Sequence, residues 1–188
     1  RGHYGLWLQR ILGFAGLVLT ASVLLDAKIG TDISKTFMLF QDQVMQDLAQ
    51  GKSNNMGVNS AIFLLLSSLA LTLNSLRKIN IAQAAAFLAT AIPMISLAGY
   101  AYGIKDFYGQ MSMVTATAGV ALSISTLSMT AHNGALKAVL SPYIGGSIAR
   151  VQVFLGIIVP FSVGFLIIKT LVNSGEGDFL GIYVVAIS

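Results

Sequence analysis

Residues 148–171, IARVQVFLGIIVPFSVGFLIIKTL, decide the architecture of this chain. The two charges of the stretch, Arg150 and Lys169, stand near its ends, and everything between them is uncharged. Crossing about 30 Å of hydrocarbon takes roughly 20 apolar residues in a helix, which this stretch supplies. Pro160 inside it does not argue against a helix, because membrane helices tolerate proline when neighbouring groups take up the freed carbonyl.

Four more stretches share this character, at residues 6–25, 59–76, 81–103 and 111–130, and a further apolar run opens at Phe179 and is still running at Ser188. The pattern predicts an all-α, polytopic membrane bundle of about six transmembrane helices. No repeat and no Pro- or Ser-rich linker divides the chain, so residues 1–188 are expected to form one domain, its last helix truncated at 188. A chain that starts at Arg1 and stops inside an apolar run is expected to belong to a longer polypeptide. The first segment is expected to span rather than to be a cleaved signal, since Arg10 lies within it and no small-residue cleavage site follows Leu25.

Composition supports lipid as the solvent. Apolar residues make up 55% and charged residues 10%, against roughly 25% charged in globular domains. With no cysteine, a disulfide framework and a thiolate metal site are both excluded. A net charge of +4 without a basic patch interleaved with aromatics argues against nucleic acid as a partner. The lipid bilayer is the expected partner, together with a second copy of the chain or other membrane subunits.

Orientation follows from the cations. Arg1, Arg10, Arg77, Lys78, Lys137 and Arg150 fall on one alternating set of connectors, while Lys28, Lys35, Lys52, Lys105 and Lys169 fall on the other with every acid, a division of six against five. The tight Arg77-Lys78 hairpin places the first set in the cytoplasm, giving a cytoplasmic N-terminus in a multi-pass protein of the cell inner membrane.

The connector before residue 59 is long, and Ile33, Phe37, Phe40, Val44 and Leu48 recur in it at helical spacing. It reads as an amphipathic helix on the outer surface, capped by Asp32 and ended by Gly51, serving either as a lid over a pocket or as a packing element. Tyr100, Tyr102, Phe107 and Tyr108 gather at the outer exit of the third span. Phe37 and Phe40 folded over them would form a small apolar ligand pocket; the alternative is an aromatic belt at headgroup level.

Within the spans no ionisable group stands at mid-depth, which leaves an ion-coupled transporter little to work with. Pro93 and Pro160 are candidate hinges or packing features. Gly119 and Ser123 form a small-x-x-x-small pair suited to close helix contact. His3 and His132 are the two histidines and could ligate a metal or haem together, but neither has a neighbouring carboxylate to orient it. No catalytic constellation is recognisable, so an enzyme is not expected, and no residue pattern specifies a cofactor.

The order of several short motifs resembles the multi-span N-terminal sensor regions of bacterial histidine kinases and diguanylate cyclases. The matching pieces are Met56-Gly57-Val58-Asn59-Ser60-Ala61, Phe63-Leu64-Leu65-Leu66, Gly99-Tyr100-Ala101-Tyr102-Gly103, Phe107-Tyr108-Gly109, Thr117-Ala118, Gly145-Gly146-Ser147-Ile148-Ala149-Arg150 and the Pro160 helix. That group carries proline where this chain has Val58 and histidine where it has Ala116. The resemblance implies a membrane-embedded sensory input module, part of a two-component or similar signalling system, that passes a stimulus through helix repacking to a cytoplasmic output domain. The alternatives are a structural or accessory subunit that binds pigment, lipid or neighbouring subunits in a larger membrane complex, or a small transporter.

Overall fold

The structure, a computed structural model, describes residues 3–37, 40–51 and 56–174. The apolar run from Phe179 lies outside these residues. Eight α-helices and one 3₁₀ turn account for most of the described chain, and no strand occurs among the described residues. In order they are α1 (His3–Ile29), the 3₁₀ turn (Ile33–Phe37), α2 (Gln41–Ala49), α3 (Val58–Ser75), α4 (Ile79–Tyr102), α5 (Lys105–Tyr108), α6 (Met113–Ser128), α7 (Gly134–Val139) and α8 (Ile144–Ser174). Four of them, α1, α3, α4 and α8, are long and apolar enough to cross a membrane, while α6 is apolar but shorter.

Neighbours in sequence are neighbours in space: α1 packs on α3, α3 on α4, and α4 on α6. The seams between them are built from small residues. In α4 the buried stripe runs Ala82, Ala86, Ala89, Pro93, Ser96, and in α6 it runs Ala116, Gly119, Ser123, Thr126, both at the spacing of about 3.5 residues that keeps a seam facing its partner. The large apolar side chains point the other way: Phe87, Leu88, Val114 and Ile124 are exposed. Lipid tails are as apolar as leucine, so membrane helices associate by close backbone approach rather than by burying bulk.

Glycine sets that approach between α1 and α3. A Cβ on Gly13 would stand 2.6 Å from Thr72 Oγ1, and one on Gly16 would run into the Ser68 hydroxyl. At the Arg10 end of the seam, Gln9 Nε2 donates to the Leu71 carbonyl at 2.9 Å and Arg10 Nη2 to the Ser75 carbonyl at 3.3 Å. Arg10 thereby serves the last carbonyl of α3, which has no amide of its own helix to accept from.

The α3–α4 hairpin is closed by Arg77 in the left-handed region, φ 61°, with Lys78 N–H donating to the Leu73 carbonyl at 3.0 Å. This six-to-one closure normally carries glycine at the left-handed position.

Two expectations are corrected. The first-loop helix is not one element capped by Asp32. It is divided into the 3₁₀ turn Ile33–Phe37 and α2, Gln41–Ala49, because the Asp26 carboxylate takes the amides of Ile33 and Ser34 (2.9 and 2.6 Å) and starts a separate turn there. Asp32 instead pairs with Lys35 at 2.8 Å, and Gly51 follows at φ 74°. The fourth apolar segment is helical over Met113–Ser128 rather than 111–130. Ser112 Oγ accepts from Thr115 N–H at 3.1 Å and caps its start, and the turn after Ser128 tightens into Thr130→Leu127 and Ala131→Ser128 bonds.

Candidate functional site

Two cavities carry the aromatic candidates Phe37, Tyr102 and Phe107, and they lie in different parts of the fold. The first, 580 Å3, lies between the C-terminal turns of α1 and the chain that follows it, with Thr20, Ser22, Val23, Asp26, Ser34, Phe37, Val44 and Met56 in its wall. Its keystone is Asp26. One carboxylate oxygen accepts from the Thr31 hydroxyl at 2.6 Å and from Ile33 N–H at 2.9 Å, and the other accepts from Ser34 N–H at 2.6 Å. Those amides begin the 3₁₀ turn and have no carbonyl ahead of them, so the carboxylate acts as a cap from a residue several positions upstream. Gly30, at φ 74°, makes the reversal that brings them back. The buried hydroxyls of Thr20 and Ser22 donate to their own helix, to the carbonyls of Gly16 (2.7 Å) and Leu19 (2.8 Å), leaving their oxygens as acceptors on the cavity side.

The second cavity, 390 Å3, is a groove between α4 and α8 lined by Phe87, Thr90, Ala91, Met94, Ile95, Ala98 and Tyr102 on one side, Ile157, Pro160 and Phe161 on the other, and Phe107 of α5 at one end. The joint that closes this end is built on Tyr102. Its hydroxyl donates to the Phe161 carbonyl at 2.7 Å, and its ring lies 5.2 Å from that of Phe161 and 6.2 Å from that of Phe165. Gly164 makes the notch: a Cβ there would be 3.1 Å from the Tyr102 oxygen. Four residues beyond Phe165, Lys169 holds its ammonium 5.8 Å from the centre of that ring.

The six residues expected to form one pocket are therefore divided. Tyr102 and Phe107 line the α4–α8 groove, and Phe37 lines the α1 cavity. Tyr100 and Tyr108 stack on each other at 4.0 Å, with the Tyr100 hydroxyl donating to the Met111 carbonyl at 2.7 Å, an arrangement that folds α5 back onto the end of α4. Gly99 permits this, since a Cβ there would be 2.6 Å from that of Phe107. Phe40 is exposed and lines neither cavity. Phe37 and Phe40 do not close over the tyrosines, because the Asp26 cap draws the loop onto α1 instead.

Pro93 is fully buried, its Cβ 3.1 Å from where a Cβ on Gly119 would be, whereas Pro160 is half-buried in the groove wall. His3 opens α1, and His132 is exposed in the turn between α6 and α7. Among the described residues no group of three or more His, Asp or Glu side chains could hold a metal ion.

Sequence reading missed two residues that matter to the architecture. Gln83 is buried in the first turns of α4, where its Nε2 reaches the Thr130 hydroxyl and carbonyl (3.3 and 3.4 Å) and the Asn133 carbonyl (3.1 Å), and its Oε1 accepts from Ala135 N–H at 3.0 Å. A lone amide in an otherwise apolar stretch was the signal for it. Gly164 had no signal, one glycine among many. Chemically both cavities offer binding surfaces, one of mixed polarity and one apolar. The chain matches no protein-family model, and neither a curated protein nor a solved structure is significantly similar to it.

Proposed function

We propose that this chain is a membrane-embedded sensory input module that passes a stimulus to a cytoplasmic output domain by repacking its helices. The observation that carries this reading is the attachment of α8. Only 11% of its most apolar window is buried, against 39% for α3 and for α4, and it meets α4 mainly at the Tyr102 joint and the groove beside it. A long helix tied at its start by Arg150 to the Val139 and Ser141 carbonyls and held on α4 only by a ring and a notch near its middle can rest in two packings separated by a few kcal/mol, which is what a helical relay requires. On this reading α6 crosses the bilayer as well and the run from Phe179 makes about six spans in all. The N-terminus is cytoplasmic in the cell inner membrane, and the 3₁₀ turn with α2 rests on the outer surface. The bilayer is the first partner, a second copy of the chain the next, and the membrane part performs no chemistry.

A second reading has one observation in its favour. The outward faces of α1 and α8 expose Trp7, Phe14, Phe154 and Leu166, surface that neighbouring subunits of a larger complex could cover. Reading the gene past the codon for Ser188 separates the two: a helical linker into a kinase or cyclase domain supports the sensor, and a stop codon shortly after supports the accessory subunit. Orientation is tested by labelling single cysteines introduced at Asn54 and Asn80. Modification from outside at Asn80 but not at Asn54 would reverse it.

A further inference from the structure

We propose that the groove between α4 and α8 binds one acyl chain of an anionic phospholipid whose headgroup meets Lys169. The inference requires only that α4 and α8 lie in a bilayer and does not rest on a sensory role.

Size selects the occupant. The α4 wall runs from Phe87 to Tyr102, about 22 Å at 1.5 Å per residue, while one leaflet of hydrocarbon is about 15 Å deep. A volume of 390 Å3 spread over that length leaves a mean cross-section of roughly 18 Å2, far below the roughly 80 Å2 of a helix about 10 Å across. A single hydrocarbon chain fits a slot this narrow. The same volume holds roughly 13 methylene-sized groups at about 30 Å3 each.

The chemistry agrees. The two hydroxyls in the wall are already committed, Thr90 to the Ala86 carbonyl at 2.7 Å and Tyr102 to the Phe161 carbonyl at 2.7 Å. The occupant therefore needs no polar group along its length. At the Tyr102 end stands Lys169, steadied over Phe165 and without an ion-pair partner among the described residues. Neither α4 nor α8 contains an acid. On α5, whose Phe107 reaches the groove, Lys105 is followed by Asp106. One net positive charge thus marks the mouth of an apolar slot, a match for a phosphate head above a chain.

The test is quenching of a single tryptophan by bromine on the acyl chain. Trp7 is the protein's one tryptophan, so Met94→Trp in a Trp7→Phe background reports from inside the groove, Ile157→Trp repeats the measurement from the α8 wall, and Val151→Trp reports from the exposed face of α8. The full chain is reconstituted in phosphatidylcholine vesicles containing a minor fraction of brominated phosphatidylglycerol, brominated phosphatidylcholine or brominated fatty acid. Phosphatidylglycerol is expected to be preferred over phosphatidylcholine about fivefold at both groove positions, with no preference at Val151→Trp. Lys169→Gln should abolish the preference while leaving quenching by the chain, and Ala91→Phe should displace the chain. Equal quenching by the two phospholipids, a preference that survives Lys169→Gln, or selectivity for the fatty acid alone would each overturn the proposal.

Discussion

Tyr102 is held to Phe161 by two interactions at once, a hydroxyl-to-carbonyl hydrogen bond of 2.7 Å and a tilted ring contact at 5.2 Å. The joint links the C-terminal end of α4 to the middle of α8, and Gly164 gives it room. Tyr102→Phe keeps the ring contact and should cost about 0.6 kcal/mol, the average for a hydrogen bond between membrane helices. Gly164→Val drives a side chain into the Tyr102 oxygen and should cost about 1–3 kcal/mol. Reversible unfolding in bicelles or mixed micelles measures both. A Gly164→Val protein as stable as wild type would mean the joint is not tight.

Gln83 ties α4 to the α6–α7 connector through both ends of its amide. Gln83→Leu would strand the Ala135 amide, while the Asn133 carbonyl keeps its bond from Lys137 N–H, and should lower stability by about 1–3 kcal/mol. Gln83→Glu keeps an acceptor for Ala135 and loses the donors, so its cost should be intermediate between Leu and wild type if ionisation does not add its own penalty at that depth; titrating the unfolding measurement with pH separates the two effects.

Ser67 and Ser123 are buried with hydroxyl oxygens that have no hydrogen-bond partner among the described residues. Each hydroxyl is a desolvated polar group with nothing in return, so Ser67→Ala and Ser123→Ala should be neutral or stabilising by up to about 1 kcal/mol. A loss of more than that in either variant would show that the hydroxyl is engaged.

Arg77 occupies a left-handed position where an L side chain is strained. Arg77→Gly should relieve about 1 kcal/mol and, in the proposed orientation, remove one of the cations that hold the hairpin in the cytoplasm. Higher stability combined with a larger fraction of inverted chains, scored by cysteine accessibility, is the expected pair of results.

Pro93 packs against Gly119 while denying α4 one backbone donor. Pro93→Ala keeps the Cβ that makes this contact and restores the amide, so the helix should stiffen with its packing intact. If the segment relays a signal, a full-length protein carrying Pro93→Ala should give an output that no longer responds to the stimulus, while Lys52→Ala responds normally. Equal responses would reduce Pro93 to a packing residue.

The sequence alone determined that this chain is helical, where four long apolar helices run, and that the Arg77-Lys78 turn is a hairpin. Those properties are local: a run of roughly 20 apolar residues satisfies its own backbone only as a helix, and glycines, serines and threonines at heptad-like spacing show which helix faces meet. The division of the six aromatic candidates was decided by tertiary structure, because it depends on one carboxylate. Asp26 recruits amides seven and eight residues downstream and draws the first loop onto α1, away from Tyr102. The α4–α8 groove was likewise invisible beforehand, since Phe87 and Ile157 come to line one groove only after the chain between α4 and α8 has folded back through α6, and no spacing in the sequence encodes the width of a slot between helices distant in the chain.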